Sequence, residues 1–363
     1  MNTCRMISLC TLLVAAADLT AQNPLAVSPG DRAGLEGSSY SHYPLGRKSA
    51  RVQTLHDDVP GGTLISAHAY RRDAIGVRGQ ITGLASDLQV TLSMSPNTAD
   101  TASSVFANNI GANPVVTLPR TIVAFPTTHR PTMDPAPTFE LMIPYSVPFL
   151  VPAAGGTLCV DVEVFGNQTQ NGNNQNVSIY LDAHQQYSDG RAVQPGFRFG
   201  SGCPAPGQND DSYANVDFWR LQNGTSELEV SIRDGVADTG SGTTRAFVTM
   251  GLSMNGNPWP MRADCPFWSS AETWFALPGT MTSTGNYDDT LDNLPLLPPG
   301  FRLYLQAGSI DLANVAMAFS DGITLVTPPY GSLPIPSARI ANGSNQAATS
   351  GSVSSSVPVM AFF

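Results

Sequence analysis

Lysine is nearly missing from this chain. Lys48 stands alone against seventeen arginines, and the glutamates are six (Glu36, Glu140, Glu163, Glu227, Glu229 and Glu272) against twenty-two aspartates. Charged residues make up 13% of the sequence, about half the usual share. Exposed helices are clothed mainly in Glu and Lys, so this scarcity argues against a helical protein. No basic block exists and the net charge is −10, which argues against nucleic acid as a partner, since phosphate binding needs clustered Lys and Arg. The compact signatures HExxH, CxxCH, the Walker loop and G-x-S-x-G are all missing. Beyond Ala17 no apolar run reaches membrane length, so the mature chain is expected not to span a bilayer.

What is present begins with a leader. Arg5 supplies a positive end, Met6 to Ala17 an apolar stretch too short to cross a membrane, and Leu19-Thr20-Ala21 a small residue before Gln22. Residues 1–21 are therefore expected to be a cleaved signal peptide, which places the protein in the envelope or secreted. Residues 22–49, rich in Ser, Gly and Pro, are expected as a flexible N-terminal arm. Gly 33 and Pro 29 fit many turns. Alternation then recurs along the chain, as in "TLCVDVEVF", "SELEVSIRD" and "FRLYLQAGSI", with turn signals between strands and no 3.6-residue pattern. These signals give an all-β protein of two antiparallel β-sandwich domains, of jelly-roll or Ig-like kind. The expected boundaries are 50–188 for the first, 189–199 for a linker and 200–363 for the second. Whether 331–363 is tail or extra strands stays open, although "SVPVMAFF" reads as a strand.

After export three cysteines remain: Cys159, Cys203 and Cys265. The similar contexts Gly-Cys-Pro and Asp-Cys-Pro pair Cys203 with Cys265. Cys159 shares a strand face with Asp161 and Glu163, so it is expected semi-exposed or at a domain contact. Asp288, Asp289 and Asp292 in "NYDDTLDN" are the candidate calcium ligands, because hard calcium takes several oxygens from one loop; the alternative is a solvated acidic loop. Trp259, Trp268 and Trp274 surround Cys265 and are the candidate sugar-stacking residues, with core packing around the disulfide as the alternative.

A resemblance adds to this reading. Arg71-Arg72-Asp73, Leu92-Ser93, "FANNIGANPVV", Pro148-Phe149 and Gly156 to Asp161 resemble a bacterial exported β-sandwich family of unassigned function. "GSGCP", "GLS", Cys265, "LPPGFRLYLQ" and "AFSDGITL" resemble a companion domain found at the C-terminus of such proteins. The resemblance covers most of residues 50–330 and implies no catalytic residues. Cys159 and the spacing after Cys265 depart from it. The expected function is a secreted, non-catalytic structural or adhesive protein of the cell surface or exterior, either packing there or binding extracellular polysaccharide or a cell-surface protein; the competing class is a secreted hydrolase acting on polysaccharide or ester. Lysine usually guards sheet edges, so its scarcity makes self-association part of the expectation.

Overall fold

The alternation in "TLCVDVEV" becomes a strand whose Leu158, Val160, Val162 and Val164 all point inward and are fully buried or nearly so. It lies antiparallel to Ala85–Ser95, in a register that sets Leu88 against Val164, Val90 against Val162 and Leu92 against Val160. A computed structural model describes residues 23–74, 81–129, 138–169, 172–240, 242–259 and 262–363. Among them the protein is all-β, its strand pairings antiparallel throughout and its helical content two 3-10 turns, Gly30–Arg32 and Phe106–Asn109. No helix among the described residues is long and apolar enough to cross a membrane.

The largest sheet runs Ser352–Ser354, Ser337–Asn342, Ala50–His56, Thr157–Thr169, Ala85–Ser95, Val115–Ala124. Its inward residues meet those of a second sheet, ordered Ala26–Ser28, Met360–Phe362, Leu64–Tyr70, Leu141–Leu150, in one core that includes Val90, Val162, Ile65, Phe149 and Phe362. A second core lies between Tyr213–Arg220 and Ser226–Arg233 on one side and Thr244–Gly251, Arg302–Asp311 and Ala316–Val326 on the other, with Phe218, Val230, Val248, Leu305 and Ile323 buried within it. Each such side chain stabilises the fold by about 1.5–3 kcal/mol through burial.

Three of the expected boundaries give way to these pairings. The 22–49 arm is built into the fold: Ala26–Ser28 pairs with Met360–Phe362, and Ser39–Ser41 with Leu181–Gln185. The 189–199 linker is strand as well, Ala192–Pro195 pairing with Tyr213–Arg220 and Phe197–Phe199 with Ala316–Val326. The last residues are no tail and do not belong to the second unit. Ser337–Asn342 pairs with Ala50–His56, and Met360–Phe362 pairs with Leu64–Tyr70. The second unit is thus inserted between strands of the first. Gln186 fastens the point of return, its Nε2 donating to the carbonyl of Ser337 at 2.8 Å.

Proline takes the edge-guarding work that lysine usually does. Pro119 sits in the edge strand Val115–Ala124, and Pro144 and Pro148 in the edge strand Leu141–Leu150, where each removes a donor another chain would pair with.

A buried polar network holds the arm. Arg71 Nε donates to Asp182 Oδ2 at 2.6 Å with both side chains fully enclosed, and Arg71 Nη2 donates to the carbonyls of Arg32 and Leu35. Glu36 accepts the Ala74 N–H at 2.7 Å. Burial, and then the nearby Asp182 and Asp73, push the Glu36 carboxyl far above the usual carboxylate range. The folded state therefore keeps a proton that the unfolded chain releases above about pH 4.3. Stability contributed by this group is full below that pH and falls as pH rises, until the buried carboxyl itself ionises. Glu36→Gln removes the titration. Its melting temperature is expected to match wild type near pH 4 and to exceed it at pH 8; a wild-type advantage at pH 8 would show an ionised, paired Glu36.

Candidate functional site

Along Thr244–Gly251, Ala246 and Val248 enter the second core, which turns Phe247 and Thr249 to the sheet's outer face. Over that face lies a hairpin, Met254–Trp259 with Arg262–Ser269, which among the described residues shares no ladder with the sheet. It is fastened by the Cys203–Cys265 disulfide, as expected from the sequence. Arg262 Nη1 adds bonds to the carbonyls of Pro204 and Met317, both at 2.8 Å. Gln306 accepts the Trp268 N–H at 3.1 Å and donates to the carbonyl of Pro266 at 3.0 Å.

Between the hairpin and the open part of the sheet runs a groove of about 510 Å³, walled by Phe247, Trp259, Phe267, Trp274, Ile310 and Leu312. This is within the roughly 300–1,000 Å³ range of small-ligand sites. Trp259 sits edge-on to Phe267 with centroids 4.5 Å apart and leans on Phe319 at 4.8 Å. Trp274, on the edge strand Thr273–Ala276, is 67% exposed, and Leu312 is 64% exposed. The polar lining is Arg245 and Thr249, and both are engaged. Arg245 Nη1 donates to the carbonyl of Gly242 at 2.6 Å, and Thr249 Oγ1 to that of Gln306 at 3.1 Å. Among the described residues no carboxylate, imidazole or thiol lines the groove, so the chemistry they offer is apolar contact.

Two of the three expected tryptophans meet here; Trp268 does not. Phe267 faces the groove, so Trp268, its neighbour on an extended strand, points the other way. Its ring stands edge-on to Phe199 at 5.5 Å, and its Nε1 donates to the carbonyl of Ser201 at 2.9 Å. A Cβ on Gly200 would lie 2.3 Å from the Trp268 ring, and Gly200 has φ +69°. Gly200 of "GSGCP" thus makes room for an indole, and Gly202 for the carbonyl of Ser212, 1.9 Å from a Cβ built there, rather than for a ligand.

The expected calcium site does not form. "NYDDTLDN" is strand, Tyr287–Leu294, on which Asp288 and Asp289 project to opposite faces and cannot hold one ion together. Asp288 is held by Arg233 Nη2 at 2.7 Å and by the Ser231 hydroxyl. Asp289 accepts the Thr290 N–H at 2.8 Å, and Asp292 is exposed. Among the described residues, ligand-type side chains converge within 4.8 Å at Glu36, Asp73 and Asp182 instead. There Arg71 already occupies Asp182, and the Ala74 N–H already holds Glu36.

A serine, a histidine and an aspartate also meet, in an order that does not suit hydrolysis. Ser28 Oγ donates to Asp58 Oδ1 at 2.5 Å, while His56 Nδ1 lies 2.7 Å from the same hydroxyl and Nε2 lies 2.9 Å from Thr54 Oγ1. A triad places the imidazole between serine and carboxylate; here the serine is in the middle and its proton faces the carboxylate. Ser28 and His56 are fully enclosed, and burial lowers the imidazole to about 3. Cys159, expected semi-exposed or at a domain contact, is buried with Leu55, Phe106 and Ile340, because the 103–110 segment covers that face of its strand. Burial pushes its thiol up, away from the nucleophilic thiolate. The expected leader, residues 1–21, lies outside the described residues.

Comparison with protein-family models, with curated proteins and with solved structures finds no match to the chain.

Proposed function

We propose that the protein is an exported, non-catalytic adhesive component of the cell exterior, built of two β-sandwiches of the kind its motifs resemble, which grips an apolar group of its partner in the groove beside Trp274. The observation that carries this is the groove itself: an exposed indole and an exposed leucine facing Trp259 and Phe247, with no carboxylate, imidazole or thiol among the described residues that line it. Exposed apolar concavities of this kind mark interaction sites in soluble proteins. The disulfide supports an oxidising compartment. Polysaccharide fits this groove poorly, since most of its hydroxyls would face apolar side chains, with Arg245 and Thr249 as the polar lining. A hydrolase reading has no comparable observation behind it.

Fluorescence titration of 8-anilinonaphthalene-1-sulfonate, with decanoate as competitor, tests the reading. Tryptophan contacts of this sort carry about 2 kcal/mol or more, so Trp274→Ala is expected to weaken the dye's binding at least tenfold, and decanoate to displace it from wild type. Equal affinity in wild type, Trp274→Ala and Leu312→Ser would remove the groove as a site.

A further inference from the structure

We propose a second binding site, for a single ring of a neutral hexopyranose glycan, on the outer face of the largest sheet under the Asn-rich hairpin. With Val164 turned inward, Phe165 faces out, and it forms part of the wall of a pocket of about 230 Å³ together with Asp87, Arg120, Gln168, Asn173 and Asn174. The volume is below the roughly 300–1,000 Å³ of drug-sized sites, which suits one sugar ring rather than several.

The lining chemistry is opposite to that of the groove. Arg120 lies 4.3 Å over the Phe165 ring and pairs with Asp87, Nη2 to Oδ2 at 2.7 Å and Nε to Oδ1 at 3.1 Å. The pair cancels its own charge, so the pocket favours an uncharged ligand. Gln168, Asn173 and Asn174 are exposed, and their side-chain amides make no hydrogen bond within the described residues. Each primary amide offers two donors and an acceptor, the pattern that adjacent hydroxyls, themselves donors and acceptors, satisfy. The remaining ring surface of Phe165 suits the C–H groups of a pyranose, because an aromatic face is electron-rich.

The frame holding these amides is fixed. Asn167, buried, donates through Nδ2 to the carbonyl of Gln175 at 2.6 Å and accepts the Gln175 N–H at 3.0 Å, which closes the hairpin. Asn174 takes φ +53°, a conformation asparagine tolerates. Gly166 has no Cβ to displace it: one built there would lie 2.6 Å from Asn174 Oδ1. A loop made only to be soluble has no need of this arrangement.

The proposal deepens the adhesive reading by giving it a polar ligand class, and rests on that reading only for the compartment. Isothermal titration of the full chain with maltohexaose, cellohexaose and mannohexaose, and with oligogalacturonate as the anionic comparator, tests it. At least one neutral hexaose is expected to bind more tightly than oligogalacturonate. Phe165→Leu is expected to weaken that binding about tenfold, the equivalent of 1.4 kcal/mol, and Asn173→Ala, at an exposed position, severalfold, with Trp274→Ala without effect. Binding by no neutral hexaose would overturn the site, as would affinities unchanged by both pocket variants or loss in Trp274→Ala alone. Retained dye binding in the groove, with no sugar binding, would remove this site and leave the adhesive reading intact.

Discussion

A chain ending at Pro336 is expected to lose the first unit entirely while keeping the second. The deletion strips the strand Ser337–Asn342 from Ala50–His56 and Met360–Phe362 from Leu64–Tyr70, exposing backbone donors and acceptors along both. It also removes Ile340, Val357, Val359, Met360 and Phe362, each 0% exposed. At about 1.5–3 kcal/mol per buried apolar side chain, that loss is comparable with the whole stability of an ordinary domain, about 5–15 kcal/mol. The second core draws on no residue beyond Leu325. Limited proteolysis of the truncated chain is therefore expected to leave a resistant fragment that begins near residue 189, contains the disulfide and still binds the dye. A single cooperative melt at the wild-type temperature would show that the terminal strands are dispensable. In the intact chain, Phe362→Ala gives the same answer in smaller measure, with about 3–5 kcal/mol expected for emptying a buried phenylalanine site.

That dependence explains which parts of the fold were legible. Alternation is local, so the inward set Leu158, Val160, Val162 and Val164 could be read from eight residues, and the structure agrees. Pairing between distant strands leaves no local trace. Ala26–Ser28 is three residues long and earns its place only by lying against Phe362, Ala361 and Met360. A Ser/Gly/Pro-rich stretch so placed looks like an arm until its partner at the other end of the chain is known.

The same distinction sorts the site residues. Trp259 and Trp274 were legible as aromatic neighbours of Cys265, and they share a groove because the disulfide brings the hairpin over the sheet. Trp268 is as near to Cys265 in sequence, but its adjacency to Phe267 on one strand sends it to the opposite face. Asp288 and Asp289 are likewise neighbours in sequence that a strand sends to opposite faces. Both corrections follow from the two-residue period of a strand, once the segment is known to be a strand and not a loop. The pocket at Phe165 was hidden differently. Its polar groups come from four segments, and the hairpin loop by itself shows only an exposed, hydrophilic tip.

Replacing both Cys203 and Cys265 by alanine is expected to release the groove before it unfolds the unit. The bond closes a loop with a sequence separation of 62, for which chain entropy gives about 4 kcal/mol at 25 °C. The loss should be felt locally. The hairpin has no ladder to the sheet, and once the disulfide is gone it is held chiefly by Arg262 on two carbonyls, by Gln306 and by the packing of Trp259 and Phe319. The second core contains none of Cys203, Cys265, Met317 or Phe319, which form a separate cluster with Phe247 and Trp259. Hydrogen exchange in the double variant is thus expected to quicken across 254–269 while Tyr213–Arg220 and Arg302–Asp311 stay protected, the signature of a local opening. Dye affinity should fall with it, because Trp259 and Phe267 form one wall of the groove and travel with the hairpin. Uniform loss of protection across the unit would mean that the disulfide stabilises the fold as a whole and not the site. Unchanged exchange with unchanged affinity would mean that Arg262 and Gln306 suffice, and the groove would then persist in a reducing compartment as well.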